Sequence, residues 1–263
     1  MGTVYLVGAG PGAPDLLTLR AARLLELADI VFHDALVHPE VIALSVNARK
    51  VAVGKRCSQI STDQRFINRA LIEAAHRYDT VVRLKGGDPM LFGRAQEEVD
   101  ALRAADVQVE IVPGVTAALA ASADMGVSLT RRGLSRNVLF ATPRIGKDLP
   151  IDETEAWARA VAAADTAVLY MSRGEAPGLV EALRAAGLPP GHPAAIVENA
   201  SLPEGRLLFC TLDTLAEHAA QTAQGPSVVI LGEVLRQALS AQDSPENSIA
   251  ASEQVPALLS VLS

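Results

Sequence analysis

Apolar residues alternate along this chain between two patterns. Short runs rich in Val, Ile and Leu are followed by longer Ala/Leu-rich stretches with apolar residues at helical spacing. Alternation of this kind predicts an α/β fold. In the first half, strands are predicted at residues 3–8 (TVYLVG), 30–34 (IVFHD), 50–54 (KVAVG), 80–85 (TVVRLK) and 107–112 (VQVEIV). Helices are predicted between them. TLRAARLLELA has Thr18 as its N-cap, and TDQRFINRALIEAAHR, from Thr62, places Phe66, Ile67, Ala70, Leu71 and Ala74 on one face.

The pattern breaks around LTRRGLSRN, which predicts an N-terminal α/β domain over 1–132 and a C-terminal one over 136–236. The second half repeats the alternation: NVLFAT, a helix over 152–164, TAVLYMS, a helix over 176–186, then AAIVENAS and RLLFCTL. A helix near Leu215 and SVVILGEVL follow. The signals at 194–201 and 206–212 have no helix between them, so they predict a hairpin. The expected architecture is an N-terminal mostly parallel sheet and a C-terminal mixed sheet. From 237 to 263 the chain turns polar and reads as a solvated, mobile tail.

Chemistry concentrates where the predicted strands end. Gly8, Gly10 and Ala13 fit G-x-G-x-x-G/A, and Asp34 follows at a distance suited to a ribose. A non-catalytic nucleotide-binding module is therefore one reading. Pro11 and Pro14 oppose it: they lack the N–H groups that a pyrophosphate needs, and the helix starts late, near Thr18. Gly86, Gly87, Asp88 and Pro89 follow the fourth strand, and Pro113, Gly114, Val115 and Thr116 follow the fifth. With Asp34 and the tripeptide Gly54-Lys55-Arg56, these loops are expected on one rim, outside the carboxyl ends of the strands.

Composition narrows the function classes. Of 263 residues, 49% are hydrophobic, enough for a sizeable core, while aromatics make up 3% and the net charge is −7. An acidic chain with few aromatics is not expected to bind nucleic acid. No apolar run is long enough for a membrane span and no signal peptide is visible, so a cytoplasmic protein is expected. Cys57 and Cys210 have no metal-ligand spacing and read as reduced thiols; no metal is expected.

VGAGPG, LLTL, HDALV, GKR, VVRLKGGDP, FGR, VPGVTAALAA and LYM occur in an order and spacing that resemble the tetrapyrrole methyltransferases. The resemblance runs from about Thr3 to Val234. It implies two α/β domains with the active site in the cleft between them, a homodimer, and S-adenosyl-L-methionine as cofactor. Within the family it points to C-methylation of uroporphyrinogen III at C2 and C7, giving precorrin-2 and S-adenosyl-L-homocysteine in porphyrin, sirohaem and cobalamin biosynthesis. A related methyltransferase acting on a later precorrin is the alternative.

Carried over by motif, the cofactor contacts fall on Pro11, Gly86, Gly87, Asp88, Leu91, Thr116, Ala117, Met171 and Ala200. The proton acceptor falls on Asp34. Lys55 falls at the proton donor, or binds a substrate carboxylate. A substrate with eight carboxylates requires local positive charge in an acidic chain; Arg56, Arg94, Arg131 and Arg132 are the residues expected to supply it, with Lys55, Arg144 and Lys147 as further candidates.

Overall fold

The computed structural model describes residues 1–53, 64–143, 156–221 and 225–242. They group into two compact units. One comprises the described residues of Met1–Gly126, Val197–Leu207 and Thr222–Val228; the other those of Val127–Ile196, Leu208–Gln221 and Val229–Ser263. The division is not a single cut, because the strands around Val197, Leu207 and Val228 contribute to both.

The first sheet has five strands: β1 (Thr3–Gly8), β2 (Ile30–His33), β3 (Arg49–Ala52), β4 (Thr80–Lys85) and β5 (Val109–Val112), in the order β3-β2-β4-β1-β5. All its pairings are parallel. Helices α1 (Leu19–Leu27), α2 (Pro39–Ala43), α3 (Gln64–Ala75), α4 (Ala95–Ala104) and α5 (Ala117–Met125) accompany it. Side chains alternate across each strand. Val4, Leu6, Ile30, Phe32 and Val81 pack with Ile67 and Leu71 of α3 and Val99 and Leu102 of α4. Val7, Val31, Val82 and Leu84 pack on the other face with Ala21 and Leu25 of α1 and Val41 of α2.

Thr18 caps α1 as expected, its hydroxyl accepting from the Ala21 N–H at 3.1 Å. The stripe expected on α3 is partly different. Ile67, Leu71 and Ala74 are buried with Ala75, while Phe66 is exposed. One residue along a helix is a rotation of about 100°, enough to take Phe66 off the face centred on Ile67 and Leu71.

The second sheet joins β6 (Val138–Ala141), β7 (Thr166–Tyr170), β8 (Pro193–Glu198), β9 (Arg206–Thr211) and β10 (Ser227–Gly232), in the order β6-β7-β10-β8-β9. It is mixed, and the two strands expected as a hairpin are neighbours. Its core gathers Leu169, Ile196, Cys210 and Leu231 with side chains of α6 (Ala156–Ala163), α7 (Ala176–Ala185) and α8 (Leu215–Gln221). Burial pushes the Cys210 thiol up to about 12, so it stays protonated and unreactive at neutral pH; Cys57 lies outside the described residues.

Residues 237–242, expected as the start of a polar tail, are helical in α9 (Arg236–Gln242). Arg236 anchors this helix by donating to both carboxylate oxygens of Glu233, at 3.0 and 2.6 Å, and to the Gly191 carbonyl at 3.1 Å. The remainder of the expected tail lies outside the described residues. Among the described residues, no helix is long and apolar enough to cross a membrane.

Candidate functional site

Because the first sheet is all-parallel, the carboxyl ends of its strands share one edge. β1 and β4 are adjacent there, and their outgoing connections run in opposite directions: β1 leads toward β2, past β4, and β4 leads toward β5, past β1. Open α/β sheets bind ligands at such a switch.

The loops leaving β1, β4 and β5 are packed backbone to backbone. The Gly87 N–H donates to the Gly10 carbonyl at 2.7 Å and the Gly10 N–H to the Gly87 carbonyl at 3.3 Å. A Cβ on Gly8 would lie 2.6 Å from Gly114 Cα, and one on Gly114 would lie 2.3 Å from the Gly87 carbonyl oxygen. These glycines are therefore required by one another rather than by a phosphate. Asp88 braces the arrangement, accepting from the Met90 N–H at 2.8 Å and from the Gly114 N–H at 3.0 Å. Gly87 differs. Its φ is +66°, and a Cβ there would meet nothing nearer than Thr116 Cα at 3.9 Å. Leu91 closes the turn onto the Asp88 carbonyl, and Thr116 is the N-cap residue of α5, which opens at Ala117.

Pro11 lies on the β1 loop, which is hydrogen-bonded to the turn carrying Ala200. The Ala13 N–H donates to Ser201 Oγ at 3.1 Å, and the Ser201 N–H donates to Asp124 of α5 at 2.8 Å. Ala200 is buried between Asn199 (φ 48°) and Ser201 (φ 73°), both left-handed. Met171 is also left-handed (φ 55°); it is exposed, just past β7 in the second unit. Left-handed non-glycine residues cost about 1–2 kcal/mol each and cluster at functional turns.

The strand pleat adds a group of charges that the sequence reading missed. Residues 32, 34, 81, 83 and 85 fall on one face of their strands, since Phe32 pairs with Arg83 in the β2–β4 register. That face carries α3 and α4. Arg83, 2% exposed, donates from Nη2 to Asp34 Oδ1 at 2.5 Å and from Nε to Glu98 Oε1 at 3.1 Å. Lys85 Nζ donates to both Glu98 oxygens at 3.1 Å, and Gln64 of α3 donates to Glu98 Oε1 at 3.1 Å. Burial, followed by the neighbouring Arg83 charge, holds the Lys85 ammonium below its ordinary value; Glu98 and Asp34 oppose this. The strand signal TVVRLK carried the clue: two cations at alternate positions on a buried strand need buried counter-charges.

The first unit thus brings together Asp34, Pro11, Gly86, Gly87, Asp88, Leu91, Thr116, Ala117 and Ala200. Met171, Arg131 and Arg132 belong to the second unit, where Arg131 closes a small turn by pairing with Ser135. Arg94 is exposed and held by Glu97 through two hydrogen bonds of 2.7 Å. Lys55 and Arg56 lie outside the described residues, as do Gly54, Arg144 and Lys147.

A family model described as Tetrapyrrole (Corrin/Porphyrin) Methylases matches residues 3–216. A siroheme synthase of Psychrobacter sp. (strain PRwf-1) is 43% identical over 238 residues, covering 90% of this chain and 48% of that protein. The chain spans about half the length of the siroheme synthases it matches. A uroporphyrinogen-III C-methyltransferase of Pseudomonas aeruginosa is 41% identical over 240 residues, covering 91% of this chain and 96% of that protein. The crystal structure of uroporphyrin-III C-methyl transferase from Thermus thermophilus complexed with S-adenyl homocysteine matches with a TM-score of 0.78 and 41% identity, covering 90% of this chain and 100% of that one. With its glycine-lined strand ends, its two α/β sheets and a family match over most of its length, the chain belongs to the tetrapyrrole (corrin/porphyrin) methylases.

Proposed function

We propose that this protein transfers methyl groups from S-adenosyl-L-methionine to C2 and C7 of uroporphyrinogen III, giving precorrin-2. The observation that carries this reading is the match to the Pseudomonas aeruginosa uroporphyrinogen-III C-methyltransferase, which covers 91% of this chain and 96% of that protein. The Thermus thermophilus enzyme, similar over its whole chain, binds S-adenyl homocysteine, and that supports the choice of cofactor.

The residues of the rim fit such a group. Pro11 and Pro14 withhold N–H donors, which suits a cationic sulfonium better than a phosphate. A Cβ at Gly87 would project toward Thr116 without meeting protein until 3.9 Å, so the absent side chain leaves room for a ligand to lie against backbone. In this reading Pro11, Gly86, Gly87, Leu91, Thr116, Ala117, Met171 and Ala200 hold the cofactor, and Asp88 keeps the rim in shape. When bound, the cofactor supplies an electrophilic methyl group on a good leaving group. The protein's tasks are to align a pyrrole carbon, exclude water and take up the proton that the methylated ring must lose.

Asp34 is the acceptor in this reading. Its Oδ1 is held by Arg83, and among the described residues Oδ2 accepts no hydrogen bond, so one oxygen is fixed and the other can receive a proton. Lys55 serves as proton donor or holds a substrate carboxylate, and Arg56, Arg131 and Arg132 bind further carboxylates. Arg94 joins them only by releasing Glu97.

Anaerobic incubation with uroporphyrinogen III and methyl-labelled S-adenosyl-L-methionine tests the proposal. Two methyl groups per tetrapyrrole are expected. Transfer only to a more highly methylated precursor would move the enzyme to a later step, and no transfer to any tetrapyrrole would overturn the reading.

The protein is also read as a homodimer in the cytoplasm. Light scattering at low micromolar concentration should give about twice the 27.5 kDa chain mass; a species of single-chain mass would refute the dimer.

A further inference from the structure

Glu98 of α4 has no exposed surface, yet it touches nothing that the proposed chemistry uses directly. A buried carboxylate must be matched by charge and hydrogen bonds. Here Lys85 donates to both its oxygens, and Arg83 Nε and Gln64 donate to Oε1. The two cations and two carboxylates of Arg83, Lys85, Glu98 and Asp34 sum to zero. Only Asp34 is appreciably open to solvent, with 28% of its side chain exposed.

The guanidinium of Arg83 is a planar fork whose donors cannot move independently. Nε is fixed by Glu98 and Nη1 by the Leu84 carbonyl at 3.2 Å, so the direction of Nη2 is set as well. Nη2 is the donor that holds Asp34 Oδ1. We infer that Glu98 is a positioning residue for the Asp34 carboxylate, acting through the Arg83 guanidinium, while Lys85 neutralises the charge that Arg83 leaves over. The inference rests on the reading of Asp34 as proton acceptor. It assigns α4 a task in turnover beyond packing.

A double-mutant cycle between Glu98→Gln and Asp34→Asn tests it, with turnover measured per cofactor-binding site, so that loss of folded protein does not count as loss of rate. Alone, Glu98→Gln is expected to lower turnover about 10- to 100-fold, the scale of a misplaced catalytic group. Cofactor affinity and stoichiometry are expected to stay as in the wild type. In the Asp34→Asn background, the same change is expected to cost less than about twofold, because the group it positions is already disabled.

Independent, multiplying losses would show that Glu98 does not act through Asp34 and would overturn the inference while leaving the role of Asp34 intact. Wild-type turnover in Asp34→Asn alone would instead overturn the reading of Asp34, and this inference with it. If Glu98→Gln does not fold, Glu98→Asp keeps the charge, withdraws it by one methylene, and carries the same cycle with a smaller loss. Failure of both variants to fold would mark Glu98 as purely structural and overturn the inference.

Discussion

Alanine at Gly114 is expected to destabilise the protein by about 3 kcal/mol, at the upper end for overpacking. The added Cβ would sit 2.3 Å from the Gly87 carbonyl oxygen, 2.8 Å from Gly8 Cα and 3.1 Å from Gly8 C. All three are backbone atoms of strand-end loops, so no side chain can rotate away. Relief would require separating the β5 loop from those of β1 and β4, which would also break the bond from the Gly114 N–H to Asp88. For a protein of this size that corresponds to a fall of about 6–12 °C in thermal midpoint, readable by circular dichroism.

Two other glycines calibrate the result. Gly178 lies within α7, and a Cβ there would meet nothing within 4 Å. Gly178→Ala should therefore be neutral or stabilising by up to about 1 kcal/mol, the upper limit being the full difference in helix propensity between the two residues. Gly87→Ala meets no close atom but carries the left-handed φ, so about 1–2 kcal/mol of strain is expected. Its main effect should be weaker cofactor binding. A Gly114→Ala protein that melts with the wild type would refute the account of these loops as mutually packed backbone.

Asp34→Asn is expected to reduce turnover by about 10²–10⁴-fold, the usual contribution of a general base, while cofactor affinity by calorimetry stays unchanged. The amide keeps the size and can still accept from Arg83 Nη2, so the loop after β2 should hold its course. What is lost is the oxygen able to take up a proton. The change also removes one of the two negative charges facing Arg83 and Lys85, so a modest drop in thermal stability should accompany it. The dinucleotide reading of Gly8, Gly10 and Ala13 makes the opposite demand. There Asp34 would hold a ribose, and Asp34→Asn would weaken cofactor binding and spare the chemistry. Unchanged turnover would remove Asp34 from the catalytic residues.

Much of the rim was legible because it depends on local chemistry. A β-branched run ending in glycine announces a strand end, and the prolines at 11 and 14 by themselves argue against a phosphate cradle. The structure agrees on the late helix start, with Pro14–Leu16 forming a short 3-10 turn before Thr18 caps α1. The purpose of the glycines was less visible. The sequence offered Gly8 as part of a dinucleotide fingerprint; the structure shows the backbone of Gly87 and Gly114 packed against it. Pairing strands 1, 4 and 5 is a long-range event, and a turn motif does not encode its neighbours.

The sequence by itself determined the α/β alternation, the strand-end loops, and the family, because each is written in contiguous residues whose backbone preferences act locally. Only the tertiary structure decided how Asp34 is held. Arg83 and Lys85 look like the polar end of a strand until the register sets Phe32 beside Arg83 and α4 turns Glu98 onto that face. Likewise the Ala200 turn reaches the Ala13 loop through Ser201, a contact between residues 188 positions apart. Such contacts depend on strand order and helix rotation, which the packing of the whole core selects. The free energy that selects them is spread over the buried face of each sheet rather than stored in any one motif.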